Sequence, residues 1–332
     1  MVRRASWSPQ KLRSVSCYWR ARILGTACHL QLFDWLARSD KSAKTASEHF
    51  GGTAQDWETF LNALSAMGLL RKRGSRFRNS HFTLQHLCSG KGDFLLPAYD
   101  AWNSWESLPA VLTTGIRPQV AQPFLTHRKH AERLLQALDH DGRLIAPYLI
   151  RRLPLKHARK LLDVGGGLGT YTLACCRRFP HLRATLVEHP RIVSLARRAV
   201  KESGLVHRVE VLGLDIVNDP WPVGFDSVLV SNVLHGQGVA DNRAVISSAH
   251  RSLDSQGRLV LRDVFLGGAG TEPEWGALFT VALLVQTPRG RCYSLKEVQG
   301  WLRDAGFAKI SGPFPSSPLF FDPDSVLIAR KA

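Results

Sequence analysis

Leu161-Leu162-Asp163-Val164-Gly165-Gly166-Gly167-Leu168-Gly169-Thr170 is the stretch on which the reading of the whole chain turns. An apolar run of strand length stops at a turn almost without side chains, and the residues after it have the spacing of a helix over 171–178. Glycine at such a turn permits positive φ and lets the backbone pass close to a ligand, while the helix N-terminus aims amide donors outward. Sterics alone also favour glycine in a tight strand–helix turn, so the motif gains weight only from what surrounds it.

Downstream, the next apolar run, Ala184-Thr185-Leu186-Val187, ends in Glu188, 19 residues after Gly169. An acid at the tip of the second strand, roughly 20 residues on, is where doubly wound folds bind ribose hydroxyls. After the third run comes Gly213-Leu214-Asp215, a carboxylate placed to accept from an exocyclic amine. The turn reads DxGGGxG rather than GxGxxG, and no Lys-Ser/Thr follows it, which excludes a P-loop. A nucleoside suits this turn better than a pyrophosphate. An acid leading the glycines fits a ligand with an ammonium group, such as the methionine end of S-adenosylmethionine.

Further outward the alternation continues. Strands are predicted over 160–164, 184–188, 209–212, 227–231, 258–263 and 326–329, with helices over 171–178, 191–203, 242–253 and 295–305 between them. Short apolar strands separated by helices imply an α/β, Rossmann-like doubly wound sheet, mainly parallel and covered on both faces. Upstream the period changes. Ile23, Leu24, Ala27, Cys28, Leu30 and Leu32 have helical spacing, Thr45 to Glu48 opens a second helix, and Thr53 to Asp56 opens a third carrying Trp57, Phe60, Leu61, Leu64 and Met67. A basic turn, Arg71-Lys72-Arg73-Gly74-Ser75-Arg76-Phe77-Arg78, then makes a two-stranded wing. The expected organisation is a winged-helix-like domain over 1–95, a Pro- and Trp-containing helical connector over 96–155, and a Rossmann-like domain over 156–332.

Composition narrows the function classes. The 332 residues are 44% hydrophobic and 21% charged, which excludes wholesale disorder, and no apolar run reaches membrane-spanning length. Neither a secretory leader nor a metal-ligand cluster is legible, so a cytoplasmic protein without a metal is expected. The six cysteines have no paired spacing and read as reduced thiols. The net charge of +17 is divided as +9 over residues 1–150 and +8 over the rest, so no basic tail stands out. The presumed recognition helix, 56–67, carries Asp56 and Glu58 and no Lys or Arg, which argues against a nucleic-acid partner.

Five blocks together resemble the class I S-adenosylmethionine-dependent O-methyltransferases, specifically the family of the caffeate, acetylserotonin and bacterial natural-product enzymes. They are the winged-helix-like start, Asp163 to Gly169, Glu188-His189-Pro190, Ser231-Asn232-Val233-Leu234-His235, and Thr287 to Phe307. The resemblance implies that Asp163, Gly165 and Gly167 hold the methionine and ribose parts of the cofactor. It also implies that Glu188 binds the ribose hydroxyls, that Leu214, Asp215 and Ile216 flank the adenine, and that Ser231 touches the cofactor. His235 matches the family's general base and Asp263 the acid that orients it, with Phe124, Phe279 and Leu283 near a small aromatic or polyketide-like acceptor. Trp102 and Trp105 are weaker candidates for the opposite wall. A homodimer is implied, with Leu30, Leu32, Phe33, Trp35 and Leu36 as apolar pairing surface.

The chemistry is intelligible on its own. A phenol of pKa about 10 keeps its proton at neutral pH, and a neutral histidine near 6.5 takes it as the new bond forms. Two departures from the family stand out: Gly236-Gln237-Gly238 follows the histidine where Asp-Trp or Asn-Trp is usual, and Cys292 stands where several members carry a second acid. The alternatives are N- or C-methylation or a non-methylating reaction with the same cofactor, and a winged-helix DNA-binding regulator.

Overall fold

The computed structural model describes residues 18–92, 95–118, 128–319 and 322–332. They form two compact units, one extending to Trp102 and the other beginning at Asn103.

In the first unit, helices α1 (Tyr18–His29) and α2 (Leu32–Ala37) lead to the short strand β1 (Lys41–Ser42). Helices α3 (Ala43–Phe50) and α4 (Ala54–Ala66) come next, and then the hairpin of β2 (Leu70–Arg73) and β3 (Arg76–Asn79), before α5 (His81–His86) and α6 (Leu96–Asp100). Three helices start with one device: the hydroxyls of Ser42, Thr53 and Ser80 accept from the amides of Thr45, Asp56 and Thr83. The expected wing gains a third strand, for β1 pairs with β3 to give the order β1-β3-β2. Leu61, Leu64 and Phe77 are buried together with Leu32, Phe33 and Leu36. The expectation for α2 is corrected here. Leu32, Phe33 and Leu36 are 0%, 1% and 2% exposed, so they build this unit's own core and are not a free pairing surface.

The second unit opens with α7 (Leu108–Thr114) and the long α8 (Arg128–Arg152), which carries Pro147 inside it. Strand and helix then alternate through β4 (Lys160–Val164), α9 (Thr170–Arg178), β5 (Arg183–Glu188), α10 (Val193–Glu202), β6 (Val209–Gly213) and β7 (Phe225–Ser231). There follow α11 (Val239–Ser252), β8 (Leu253–Asp263), β9 (Phe265–Leu266), α12 (Glu274–Gln286), β10 (Tyr293–Ser294), α13 (Leu295–Asp304), β11 (Phe307–Pro315) and β12 (Ser325–Lys331). Seven strands form one sheet in the order β11-β12-β8-β7-β4-β5-β6. The pairs from β8 to β6 are parallel, whereas β12 runs antiparallel to both β8 and β11.

Side-chain alternation along the strands splits the core into two layers. Leu161, Leu186, Leu229 and Val260 pack with Leu149 of α8, Leu173 of α9 and Ala196 of α10. Their neighbours Leu162, Val187, Val228 and Leu261 pack instead with Val245 and Ile246 of α11 and Val298 and Leu302 of α13. The strand order reverses between β4 and β7, so the crevice at their C-terminal ends is where such a sheet takes a ligand. Among the described residues no helix is long and apolar enough to cross a membrane.

Candidate active site

The glycine turn follows β4 as the sequence implies. Gly165 and Gly167 have φ of +68° and +59°, conformations that a side chain disfavours. Gly165 and Gly166 both donate to the carbonyl of Val187, folding the turn back over β5. A Cβ at Gly166 would lie 2.2 Å from Leu186 Cδ1, and one at Gly165 would lie 2.8 Å from Val233 Cγ2. Packing alone therefore accounts for these two glycines.

The two acids beside the turn need another reason. Glu188 is 8% exposed and turns toward the glycines: Oε2 accepts from the Gly167 amide at 2.8 Å and Oε1 from the His189 amide at 2.7 Å. Burial pushes its pKa up, and those two amides hold the rise back. Asp163 is 1% exposed, and its Oδ2 accepts from the Thr172 hydroxyl. Burial drives this carboxyl up to about 7, against the pull of the Thr172 bond and with the help of the Glu188 charge. Its Oδ1 is buried with no hydrogen-bond partner among the described residues. A buried acceptor without a donor fits a ligand that brings ammonium or hydroxyl protons, as the methionine and ribose ends of S-adenosylmethionine do.

The remaining predicted cofactor residues sit on the neighbouring strand ends. Leu214 donates its amide to the carbonyl of Glu188, and Leu214 and Ile216 are partly buried against the core. Asp215 also serves its own turn. Its carboxylate accepts from the amides of Val217 and Asn218 and from the Asn218 side chain, so it closes its own turn. The Asn218 side-chain bond is the main cause of its lowered pKa. An adenine amine would have to share an oxygen already in use. Ser231, at the end of β7, has its hydroxyl 3.3 Å from an Arg262 guanidinium nitrogen.

His235 and Asp263 are brought together. His235 lies in a short turn after β7 and Asp263 ends β8, with Nδ1 2.7 Å from Asp263 Oδ1. Three backbone amides hold the carboxylate: Leu234 and His235 donate to Oδ2 at 3.1 and 3.4 Å, and Val264 donates to Oδ1 at 2.8 Å. The Asp263 side chain is 3% exposed and that of His235 18%, so the acid is sealed while the imidazole keeps an open side. Burial pulls the histidine's pKa down, but the charge of Asp263 and its hydrogen bond together outweigh burial and leave it raised. With Nδ1 bound to a carboxylate, Nε2 is the nitrogen left to meet a proton.

The predicted acceptor residues separate. Phe279 stands edge-on to the His235 ring at 5.0 Å and packs on Trp275 at 4.8 Å. Leu283 is 4% exposed and lies in a cluster with Val264, Leu266 and Cys292, so it backs the site rather than lining open space. Cys292 is buried, and its thiol is pushed up to about 11 chiefly by that burial. Phe124 lies outside the described residues. Trp102 belongs to the first unit, where it packs on Tyr18 and Arg22, and Trp105 is exposed.

Sequence reasoning missed the part played by α8. Thr170 Oγ1 donates to Asp139 Oδ1 at 2.5 Å, Leu135 reaches the surface of Gly167, and Gly142 lets Thr170 approach. Their only signal was one small residue, Gly142, and one acid, Asp139, within an apolar helical pattern. Arg262 was missed as well, because its partners Asp322 and Asp324 lie about sixty residues away in the chain.

Comparison with known proteins gives a consistent picture. Residues 120–308 match the family model described as an O-methyltransferase domain. The 3-hydroxy-5-methyl-1-naphthoate 3-O-methyltransferase of Streptomyces sahachiroi is 30% identical over 301 residues, spanning 88% of this chain and 87% of the relative. The tetracenomycin polyketide synthesis 8-O-methyl transferase of Streptomyces glaucescens is 26% identical over 96% of each chain. The crystal structure of human N-acetylserotonin methyltransferase in complex with SAM shares the fold, with a TM-score of 0.83 over 99% of each chain at 18% identity.

Proposed function

The chain belongs to the O-methyltransferase family and is an S-adenosylmethionine-dependent methyltransferase, and from that premise we propose that His235 is the general base for transfer to a hydroxyl of a small aromatic or polyketide-like acceptor. The observation that carries this reading is the 2.7 Å bond from Nδ1 to Asp263, a carboxylate itself fixed by three amides. Asp263 selects the tautomer with Nε2 free and stabilises the imidazolium once the proton has moved. Phe279 against the ring suits a flat acceptor face.

S-adenosylmethionine supplies a methyl group already activated on sulfur. This chain's residues therefore bind, orient and accept one proton. Asp163, Gly165 and Gly167 would hold the methionine and ribose parts, Glu188 the ribose hydroxyls, Leu214, Asp215 and Ile216 the adenine, and Ser231 a further edge. Residues 96–155 contribute to the acceptor pocket, and residues 1–95 serve in homodimer formation. The exposed Tyr18 and Trp19 of α1 support the pairing role in place of the buried leucines of α2.

His235→Gln tests the assignment. Turnover of a phenolic acceptor is expected to fall by about 10²–10⁴-fold, with calorimetric affinity for S-adenosylhomocysteine unchanged. Turnover equal to the parent would remove His235 as base, and mass analysis of the product identifies the methylated atom.

A further inference from the structure

On the opposite side of β8 from Asp263, its chain neighbour Arg262 sits at the centre of a charged cluster that the proposed reaction does not use. The Arg262 side chain is 3% exposed, with a guanidinium nitrogen 2.8 Å from Asp322 Oδ1 and 2.7 Å from Asp324 Oδ2, and these carboxylates are 0% and 6% exposed. Another guanidinium nitrogen is the one near the Ser231 hydroxyl, and the group lies 5.4 Å from the Tyr171 ring centre in the first turn of α9. Asp322 also accepts from the Ser316 hydroxyl, while Nε of Arg262 is buried without a partner among the described residues. Asp324 is hydrogen-bonded by the Asn232 side chain. Asn232 itself takes a left-handed φ of +57° and donates its amide to the Arg262 carbonyl at 2.8 Å.

Two properties of this cluster need explanation. Burying three charges carries a desolvation penalty of several kcal/mol per ion, and apolar residues of equal volume generally stabilise a protein as well or better. The cluster also holds one positive and two negative charges, an excess of one negative. Besides the Tyr171 ring and the Ser316 hydroxyl, its contacts meet at Ser231, which ends β7, and at Asn232, which follows it and leads into His235 three positions later.

We propose that Arg262, Asp322 and Asp324 are positioning residues for His235: they pin the Ser231–Asn232 turn that presents the imidazole, and their surplus negative charge supports it when protonated. This rests on the reading that His235 takes the acceptor's proton. The charged groups acting on the ring are Asp263 and Arg262 from β8 and Asp324 just before β12. Asp324 favours the protonated imidazole and Arg262 opposes it. Among the described residues, the other elements around it bring the Phe279 ring, the Tyr293 hydroxyl, which donates to Gln237, and Gly290, packed on the His235 carbonyl and bonded by Arg117.

Asp324→Asn removes one charge and keeps a single acceptor oxygen in place of two, and Arg262→Lys keeps the charge but loses the fork. The test is an NMR titration of His235 with ¹³C-labelled histidine in the full chain, alongside steady-state kinetics. In Asp324→Asn the His235 titration is expected to move to lower pH by roughly half a unit, with the melting curve recording any separate loss of stability. In Arg262→Lys, kcat is expected to fall about tenfold while KM for S-adenosylmethionine holds. An unmoved titration in Asp324→Asn, or an Arg262→Lys enzyme with parental kcat and only a lower Tm, would overturn the proposal and leave the cluster merely structural. The titration reads the coupling whether or not His235 is the base, whereas His235→Gln reads the base alone, so the two assignments fail separately.

Discussion

At the scale of single residues, the site depends on how burial and partners divide protons among three groups. His235 works as a base only when neutral, and Asp263 raises its pKa above the usual 6.5. The acid limb of kcat/KM is therefore expected to have its midpoint above pH 6.5, with activity rising as pH rises through it. Asp263→Asn should shift that midpoint down and lower the plateau by at least about tenfold, because the tautomer is no longer fixed. A limb that stays put would show that Asp263 does not act on the histidine. Asp163 gives a prediction of the opposite kind. Its carboxyl is near 7 in the folded protein against 3.8 for the unfolded chain. The folded state thus keeps a proton that the unfolded chain has lost, and this contribution to stability, fully present below 3.8, declines as pH rises to about 7. Asp163→Asn should gain Tm relative to the parent across that window in the cofactor-free protein while losing affinity for S-adenosylhomocysteine. A Tm difference that is flat with pH would refute the shift. The positions of Asp163 and Glu188 at the ends of β4 and β5 were legible from local pattern, whereas His235 and Asp263 were singled out by the resemblance to the family. Arg262 was not, since nothing near it in sequence announces Asp322 or Asp324, and neither was the turn that Asp215 closes with Asn218, three residues on.

At the scale of elements, the alternation of strand and helix from β4 to β8 was readable because each strand is a short apolar run with a helix of opposite period beside it. The far edge was not. In β11 the chain carries Gly312 and Pro313, residues that weaken a strand assignment, and the ladder to β12 is irregular there, between Ser311 and Phe314. Edge strands tolerate both residues at such bulges. The element most exposed to a single substitution is the turn between β4 and α9. Gly166→Ala would drive a methyl onto Leu186 Cδ1 and the Asp163 carboxylate, at 2.2 and 2.8 Å before relaxation. Overpacking of this kind costs about 1–3 kcal/mol, and because Asp163 has to move, affinity for S-adenosylhomocysteine should drop at least about tenfold. Wild-type affinity in this variant, measured by calorimetry, would mean that the turn does not form the cofactor's bed.

At the scale of the whole molecule, the first unit was read correctly as helices plus a basic hairpin but wrongly as to which apolar residues stay outside. Helical spacing gives the face of α2 that is apolar, not whether the chain's own core or a second copy covers it. The proposed pairing therefore rests on Tyr18 and Trp19, 51% and 60% exposed. Light scattering after gel filtration should report a dimer for the parent and a monomer for the Tyr18→Ala/Trp19→Ala double variant. A monomeric parent, or a dimer that survives both changes, would end that assignment.

The antiparallel insertion of β12 beside β8 has a consequence for how the protein is made. Residues 325–331 hydrogen-bond directly to the strand that ends in Asp263, and Asp324 immediately before them grips Arg262. During synthesis this segment follows every other strand of the sheet, so Arg262 and Asp263 cannot acquire their final surroundings until it arrives. A chain stalled upstream of Ser325 will leave the β8 edge unpaired from Leu259 to Asp263.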